Sequence, residues 1–377
     1  MKSEKIIKSI FISSFLIIIF FFMITTIFNN EKVSETERRN LTTFPKFSFK
    51  SLLNNNYYDT LTTAFNDQLE LRDYLVKGYF LFQFQRYYGD VVEGKDGELY
   101  TASQKEVTNN YYKGLKNVTN LINEETKKID AKFIFLSIPR KDAYMTKELP
   151  KTYNSSLDIY QKSVNIVKES LNEDIIFIDA LEVFKDGNIY NCYYSNDHHI
   201  TPRCAYLLYK KINDYTGVSS YDLEDMFEIK KTIVNGAYNR QLGQTIKSKP
   251  EELYLVPKQE IAYTRYENDK ESNKKVYGTG NSYEEAYMEG DMAYTRIETN
   301  KEGKNIMFVG SSFTNILEAL SIPSYNRMVS IDYRHNKTGH DINYYVDKYD
   351  IDYVIFIPAQ SNNAFSIPQM KLHLGKN

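Results

Sequence analysis

Two distant segments of the sequence carry the side chains whose types and spacing could do chemistry. The first contains Asp197, His198 and His199 immediately before a predicted helix. The second, NIMFVGSSFTNILEAL, has the pattern of a strand, a Gly-Ser-Ser turn and a helix, which places Ser312 at the tip of the strand. Acyl transfer needs a nucleophile, a base and a carboxylate that orients the base. Ser312, His199 and Asp197 are the right types for these roles, so the sequence predicts a serine-hydrolase-like site.

Each segment also has a simpler interpretation. A serine in such a turn often only caps the next helix, and Asp197 could equally be an N-cap. Asp-His-His also occurs in metal-dependent phosphoesterases, but those sites need several more carboxylates around two ions. The sequence has no Asp-x-Asp on an upstream strand that would supply them. We therefore expect a site that needs neither a metal nor a cofactor, and activity that survives chelation would exclude the phosphoesterase alternative.

Short apolar runs rich in β-branched and aromatic residues predict the strands that position these groups. The runs are 132–138, 174–179, 305–310, 328–333 and 353–358, and amphipathic stretches lie at 156–172, 203–214, 313–322 and 340–349. Near-continuous apolar strands that alternate with helices predict an α/β fold with a mainly parallel sheet covered on both faces. Sites in such sheets form at the carboxyl ends of the strands, which is where the Gly-Ser-Ser turn falls.

The rest of the chain divides around this predicted domain, which we assign to 131–377. Residues 216–300 are polar and rich in turns and short alternating segments, and they predict a β-rich insertion within it. Residues 29–130 predict a polar juxtamembrane linker followed by a helical lead-in, because apolar residues recur at helical spacing.

The N-terminus predicts a membrane anchor. Residues 9–28 contain no charge and are long enough as a helix to cross about 30 Å of hydrocarbon. Three lysines within 1–8 favour a cytoplasmic tail and an extracytoplasmic C-terminal domain. The alternative is a cleaved signal peptide, which usually has a shorter apolar region and an A-x-A-like site. The net charge of −2 gives no indication of a nucleic-acid partner.

The chain has two cysteines, Cys192 and Cys204, which flank the Asp-His-His segment. Outside the membrane they could form a disulfide, and two buried free thiols are the alternative.

Several further motifs give the chain a family resemblance. In order they are SETERRNLTTFPKFSF, FNDQLELRD, GKDGELY, SIPRK, the Asp-His-His segment, GSSF and IDYRH. Together they resemble the DHHW family of bacterial surface proteins, which is similar to the SGNH-hydrolase-like proteins of alginate O-acetylation. The resemblance implies an SGNH-like fold in which Asp197 and His199 pair with Ser312, with the Asp-x-His preceding the serine. The signature tryptophan is Ile200 in this chain, and Ser311 stands where related proteins often carry Asp or Thr.

The resemblance also implies a function. We expect an O-acetyltransferase or acetylesterase that acts on an exopolysaccharide or wall polysaccharide, with a membrane-bound O-acyltransferase as the partner that supplies acetyl groups. His198, Ser311, Arg334 and His335 are candidate contacts for the substrate or the oxyanion, since they neighbour the predicted strand ends. The alternatives are a structural role for His198 and ordinary ion pairs at the rim for Arg334 and His335. The alternative is a non-catalytic polysaccharide-binding or export component that has kept the fold.

Overall fold

The computed structural model describes residues 2–34, 39–53, 55–85, 91–101, 107–150, 153–187, 189, 191–336, 339–360 and 365–376. The chain forms two compact units, Met1–Gly89 with Asn239–Lys247, and Asp90–Tyr238 with Ser248–Asn377. The C-terminal part of the predicted lead-in, residues 91–130, therefore belongs to the second unit.

The described residues of the first unit include the apolar N-terminal segment and two long helices that follow it. Its elements are α1 (Lys2–Phe28), β1 (Val33–Ser34), β2 (Arg39–Asn40), α2 (Asn55–Asp67) and α3 (Arg72–Gln85). Within α1, Lys5–Phe28 has a mean hydropathy of 2.7 and is long enough to cross a membrane. By length and composition α1 is a candidate membrane anchor or signal.

The second unit is built on a mixed sheet with helices on both faces. Its strands and helices, in chain order, are β3 (Val91–Glu93), β4 (Leu99–Thr101), α4 (Asn109–Thr126), β5 (Lys132–Ser137), α5 (Lys141–Tyr144), α6 (Leu157–Ser170), β6 (Ile176–Asp179), α7 (Ala180–Asp186), α8 (Pro202–Thr216), α9 (Leu223–Met226), β7 (Phe227–Ile233), the first two residues of α10 (Ala237–Gln241), β8 (Pro250–Pro257), β9 (Thr264–Glu267), β10 (Lys270–Glu271), α11 (Tyr283–Ala286), β11 (Tyr294–Glu298), β12 (Asn305–Val309), α12 (Phe313–Ser321), β13 (Arg327–Ile331), α13 (Ile342–Tyr349), β14 (Tyr353–Phe356) and α14 (Ile367–His373). The strand order in the large sheet is β10-β9-β11-β13-β12-β14-β5-β6.

The five strands predicted from apolar runs form a contiguous parallel block, β13-β12-β14-β5-β6. Alternate side chains of β12 enter two different cores: Ile306 and Phe308 pack with residues of α8 and α12, while Met307 and Val309 pack with residues of α4, α6 and α13. Because both faces are covered, the strand is apolar throughout. The predicted α/β class with a mainly parallel, helix-flanked sheet is thus confirmed.

Residues 216–300 contribute strands in two places. β7 and β8 pair as a separate antiparallel hairpin. β9, β10 and β11 instead extend the large sheet, where β11 pairs antiparallel with β13 and β9 pairs with β11. Three of the five strands in this segment are therefore part of the central sheet, which makes the sheet mixed.

The last helix buries a histidine that should make stability depend on pH. Among the described residues, neither ring nitrogen of His373 has a hydrogen-bond partner. Burial lowers its pKa to about 4, with a smaller opposing effect of Asp332 and a lowering effect of Arg334. As the pH falls below about 6.5, the unfolded chain takes up a proton that the folded chain accepts only near pH 4. Stability should therefore be lost between these pH values.

We expect this group to lower the free energy of unfolding by up to about 3 kcal/mol between pH 6.5 and pH 4. Urea unfolding of the wild type and of His373→Leu at both pH values measures the contribution. The variant should lose less stability than the wild type on acidification. Equal losses in the two proteins would contradict the assignment.

Candidate active site

An internal strand of the parallel block, β12, places Ser312 at the carboxyl edge of the sheet. β12 ends at Val309, Gly310 follows, and α12 begins at Phe313. A Cβ atom on residue 310 would lie 2.7 Å from Cγ2 of Thr314 and 3.2 Å from Ile357. The turn between the strand and the helix is therefore this tight only because residue 310 is glycine.

The Ser312 hydroxyl does not cap the helix that follows it. Its side chain makes no capping hydrogen bond, and Oγ instead lies 2.8 Å from Nε2 of His199. This contact joins residues 113 positions apart. Ser312 stands at the N-cap position of α12, which is the end of the helix that favours negative charge.

His199 and Asp197 continue the chain of hydrogen bonds. Nδ1 of His199 lies 2.7 Å from Oδ1 of Asp197, which also accepts the backbone N–H of His199 at 3.0 Å. The other carboxylate oxygen accepts the N–H of Ala237 at 2.6 Å. The side chains of Asp197 and His199 are fully buried, and Ser312 is buried with 8% of its surface exposed. With the carboxylate as acceptor, Nδ1 carries the proton and Nε2 is left to accept the hydroxyl proton.

The Asp197 carboxyl is held in its ionised form. Burial by itself would raise its pKa, but the neighbouring rings of His199 and His198 and the hydrogen bonds from His199 and Ala237 outweigh burial. The net effect holds the pKa of this carboxyl far below its ordinary value. The group can therefore act as a permanent acceptor for the imidazole N–H.

Covalent and backbone links fix the loop that carries these two residues. Cys192 and Cys204 are joined by a disulfide, with their Cα atoms 5.3 Å apart. The N–H of Thr201 donates to the carbonyl of Cys192 at 2.8 Å. Ile200, at the position of the family's tryptophan, is fully buried and forms an isolated bridge with Tyr193.

Hydrogen bonds from Lys141, a buried residue that was not predicted as part of the site, fix the backbone of the same loop. Nζ of Lys141 donates to the carbonyls of Tyr194 at 2.8 Å and Ser195 at 2.7 Å, and it pairs with Glu98 at 2.7 Å. Glu251 accepts both the N–H and the hydroxyl of Ser195. The available signal was the SIPRK motif, in which the lysine lies four residues beyond the end of a buried strand, β5.

Two aromatic rings set the plane of the imidazole. The ring of Tyr283 stacks on His199 at 3.8 Å between centroids with 3° between planes, and Phe313 lies at 5.1 Å. Tyr283 is buried, and its hydroxyl accepts the N–H of Ile316 at 3.4 Å. Support for His199 thus comes from α11, in the segment 216–300. No local pattern around position 283 indicated this contact.

We expect Tyr283→Leu to lower kcat for acetyl ester turnover by about 10- to 100-fold with little change in KM, because the ring would lose its fixed orientation. Tyr283 is not among the residues that line the adjacent cleft, so ground-state binding should be unaffected. Tyr283→Phe keeps the stacked ring and should restore kcat. Steady-state kinetics of both variants check this, and equal losses of kcat in the two would argue against a positioning role.

A cleft of about 240 Å³ opens beside the Ser312 hydroxyl. Its described lining comes from the carboxyl ends of β5, β12, β13 and β14 and from two loops, and consists of Thr101, Arg140, Lys141, His198, Tyr238, Ser311, Ser312, Phe313, Arg334, Ala359 and Gln360. Of the residues predicted as substrate or oxyanion contacts, His198, Ser311 and Arg334 line this cleft. The cleft is large enough for an acetyl group and part of a sugar ring.

The guanidinium of Arg334 is held at the rim by two carboxylates. It forms ion pairs with Asp332 and, at 3.2 Å, with Asp291. Asp291 also accepts a hydrogen bond from Asn315 in α12, so this network connects the rim to the helix that begins at the serine. His335 is half exposed, lies 3.9 Å from Asp332, and is not among the described residues of the cleft.

Within the part of the chain that the structure describes, two clusters have enough donors to be considered as metal sites. The first is Asp197, His198 and His199, and the second is Asp291, Asp332 and His335. In the first, the atoms that would bind an ion are already paired, since Asp197 accepts three hydrogen bonds and Nε2 of His199 meets Ser312. In the second, the Arg334 guanidinium occupies the space between the carboxylates.

One family model matches this chain, and several solved structures resemble it. The family model of the SGNH hydrolase-like domain of the acetyltransferase AlgX matches residues 91–286. A DHHW family protein from Eubacterium siraeum is similar in structure, with a TM-score of 0.58 and 19% identity over 73% of this chain and 92% of that chain. Bacillus cereus PatB1 has a TM-score of 0.56 and 18% identity over 74% of this chain and 98% of its own. The PatB1 structure with a sulfonyl adduct has a TM-score of 0.59 and 18% identity, over 75% and 98% of the two chains. No curated protein matches the chain.

Proposed function

This chain belongs to the family of SGNH hydrolase-like domains typified by the acetyltransferase AlgX, and on that premise we propose that it is a serine-dependent O-acetyltransferase of a cell-surface polysaccharide. The observation that carries the proposal is the hydrogen-bonded chain of Asp197, His199 and Ser312 at the mouth of a cleft. A carboxylate, an imidazole and a hydroxyl in this order form the arrangement that activates a serine for acyl transfer.

In the first half-reaction the Ser312 oxygen attacks the carbonyl carbon of an acetyl donor. Nε2 of His199 takes the hydroxyl proton and then delivers it to the departing alcohol or thiol of the donor, which leaves acetyl-Ser312. Asp197 keeps the imidazole in the required tautomer and stabilises its protonated form. The N–H groups at the start of α12 stabilise the oxyanion, because the helix N-terminus favours negative charge.

In the second half-reaction a sugar hydroxyl attacks acetyl-Ser312. His199 now removes the proton of the sugar hydroxyl and returns it to the Ser312 oxygen, so the acetyl group moves to the glycan and the enzyme is regenerated. Water in place of the sugar would give acetate and make the protein an esterase. His198, Ser311 and Arg334 are the cleft residues that we assign to contacts with the glycan or the oxyanion.

The proposal includes a location and a partner. We propose that α1 remains as an anchor, with 1–8 in the cytoplasm and the second unit outside the cell. The uncharged stretch 9–28 of α1 and the three lysines within 1–8 support this orientation. Acetyl donors are made in the cytoplasm, so a membrane-bound O-acyltransferase would pass acetyl groups outward to Ser312.

The test is to trap the intermediate and to follow its fate. The full chain in detergent is mixed with 4-nitrophenyl acetate, with and without soluble oligosaccharides, and the peptide that contains Ser312 is analysed by mass spectrometry. We expect one acetyl group on Ser312 and, with the correct glycan, an acetylated sugar at the expense of free acetate. A wild-type protein that never acquires the acetyl group would favour the non-catalytic binding alternative.

A further inference from the structure

Helix α3 of the first unit presents an uncovered apolar face. Leu71, immediately before the helix, is 48% exposed, and Tyr74, Leu75 and Tyr79 are 75%, 58% and 57% exposed. Their spacing places them on one side of a helix, together with Gly78. These four residues and Gly78 are the exposed residues between positions 71 and 79, and none of them is charged. We call Leu71, Tyr74, Leu75 and Tyr79 the apolar face.

The opposite side of the same helix is covered by protein. Asp73 accepts a hydrogen bond from the Ser34 hydroxyl at 3.4 Å. Lys77 packs closely against Gly243, because a Cβ atom placed on that glycine would lie 2.4 Å from Cγ of the lysine. Contacts with the rest of the unit therefore cover one side of α3, while the apolar face on the other side remains exposed.

Hydrogen bonds tie the start of α3 to the end of α1. The buried side chain of Gln68 accepts the N–H of Glu31 at 3.0 Å and donates to its carbonyl at 2.8 Å. Asn29 donates to the carbonyl of Gln68 at 3.1 Å, and the hydroxyl of buried Thr26 accepts the N–H of Glu70 at 3.4 Å. The first turn of α3 thus lies at the point where the proposed anchor ends.

We propose that α3 lies along the outer surface of the membrane, with the apolar face in the headgroup region and the upper acyl chains. The proposal rests on the proposed role of α1 as an anchor, since that role places residues 68–71 at the lipid surface. Tyrosine is enriched at this depth because its ring is apolar and its hydroxyl is polar. A helix parallel to the surface covers the whole face, whereas an upright helix would leave most of it in water.

Site-specific fluorescence in the full chain tests this orientation. The two native cysteines are joined to each other, so an introduced cysteine is the single free thiol. Leu75→Cys and Tyr79→Cys are labelled without reductant with a nitrobenzoxadiazole dye and reconstituted into phosphatidylcholine vesicles with or without doxyl-labelled lipid. Ile18→Cys, in the middle of α1, reports insertion, and Lys168→Cys, exposed on α6, is the water-exposed control.

We expect doxyl lipid to lower the emission of the labels at 75 and 79 by about twofold, with emission at shorter wavelength than at 168, which should be unquenched. Quenching at 18 with none at 75 and 79 would overturn the proposal while leaving the anchor intact. The same result is expected if the face binds a protein partner and not lipid. The vesicles contain only this chain, so the face would then remain in water. No quenching at 18 would reject the anchor, and the surface orientation with it.

Discussion

Ser312→Ala is expected to lower kcat for acetyl ester turnover by about 10⁴- to 10⁶-fold, the range typical of a lost serine nucleophile. The substitution removes the single atom that can attack the acyl carbon, and Nε2 of His199 then has no hydroxyl to deprotonate. The side chain caps no helix N–H, so its removal should leave α12 intact. Release of nitrophenol from 4-nitrophenyl acetate by purified protein measures the effect.

Ser321→Ala is the matched control for this experiment. Ser321 is a buried serine at the other end of the same helix, where its hydroxyl donates to the carbonyl of Leu317, and it is not among the described residues of the cleft. It should keep most of the activity and should still form acetyl-Ser312. Thermal unfolding of both variants excludes a difference in folding. If Ser312→Ala turned over substrate like the wild type, the serine mechanism would be wrong.

Asp197→Asn should lower kcat by about 10³- to 10⁴-fold, an effect known when the carboxylate of such a triad becomes an amide. The asparagine oxygen would keep the hydrogen bond from the Ala237 N–H, which leaves the NH₂ group facing Nδ1 of His199. Nδ1 would then accept, and the ring proton would move to Nε2. A protonated Nε2 cannot take the proton of Ser312, so the nucleophile would stay inactive.

The control for this substitution is Asp352→Asn. That carboxylate accepts the N–H of Asn305 at 2.8 Å and pairs with Lys304, at the amino end of β12 and away from the cleft. Its amide variant should be slightly less stable and should keep its activity. Mass spectrometry adds a second readout, since acetyl-Ser312 should form very slowly in Asp197→Asn. Normal acetylation of that variant would show that the carboxylate is dispensable.

The fold class and the five parallel strands of the sheet could be predicted from the sequence because burial leaves a local pattern, whereas the family was predicted from the resemblance of several short motifs. A strand covered on both faces must be apolar at every position, as in 305–309, and the segments around it must be amphipathic to cover it. The candidate chemistry was also visible, since a glycine and two serines at the end of such a strand place a hydroxyl at the carboxyl edge.

What the sequence by itself determined about this protein is therefore the set of elements and the reactive groups at their ends: an uncharged N-terminal helix, apolar strands that alternate with helices, and the residue types at 197, 199 and 312. Only the tertiary structure decided that the Ser312 hydroxyl lies 2.8 Å from the His199 ring, that Tyr283 stacks on that ring, and that Lys141 holds the loop before Asp197. It also decided that β9, β10 and β11 join the central sheet. Local patterns record whether a residue is buried, but the partner it is buried against depends on packing between segments far apart in the chain.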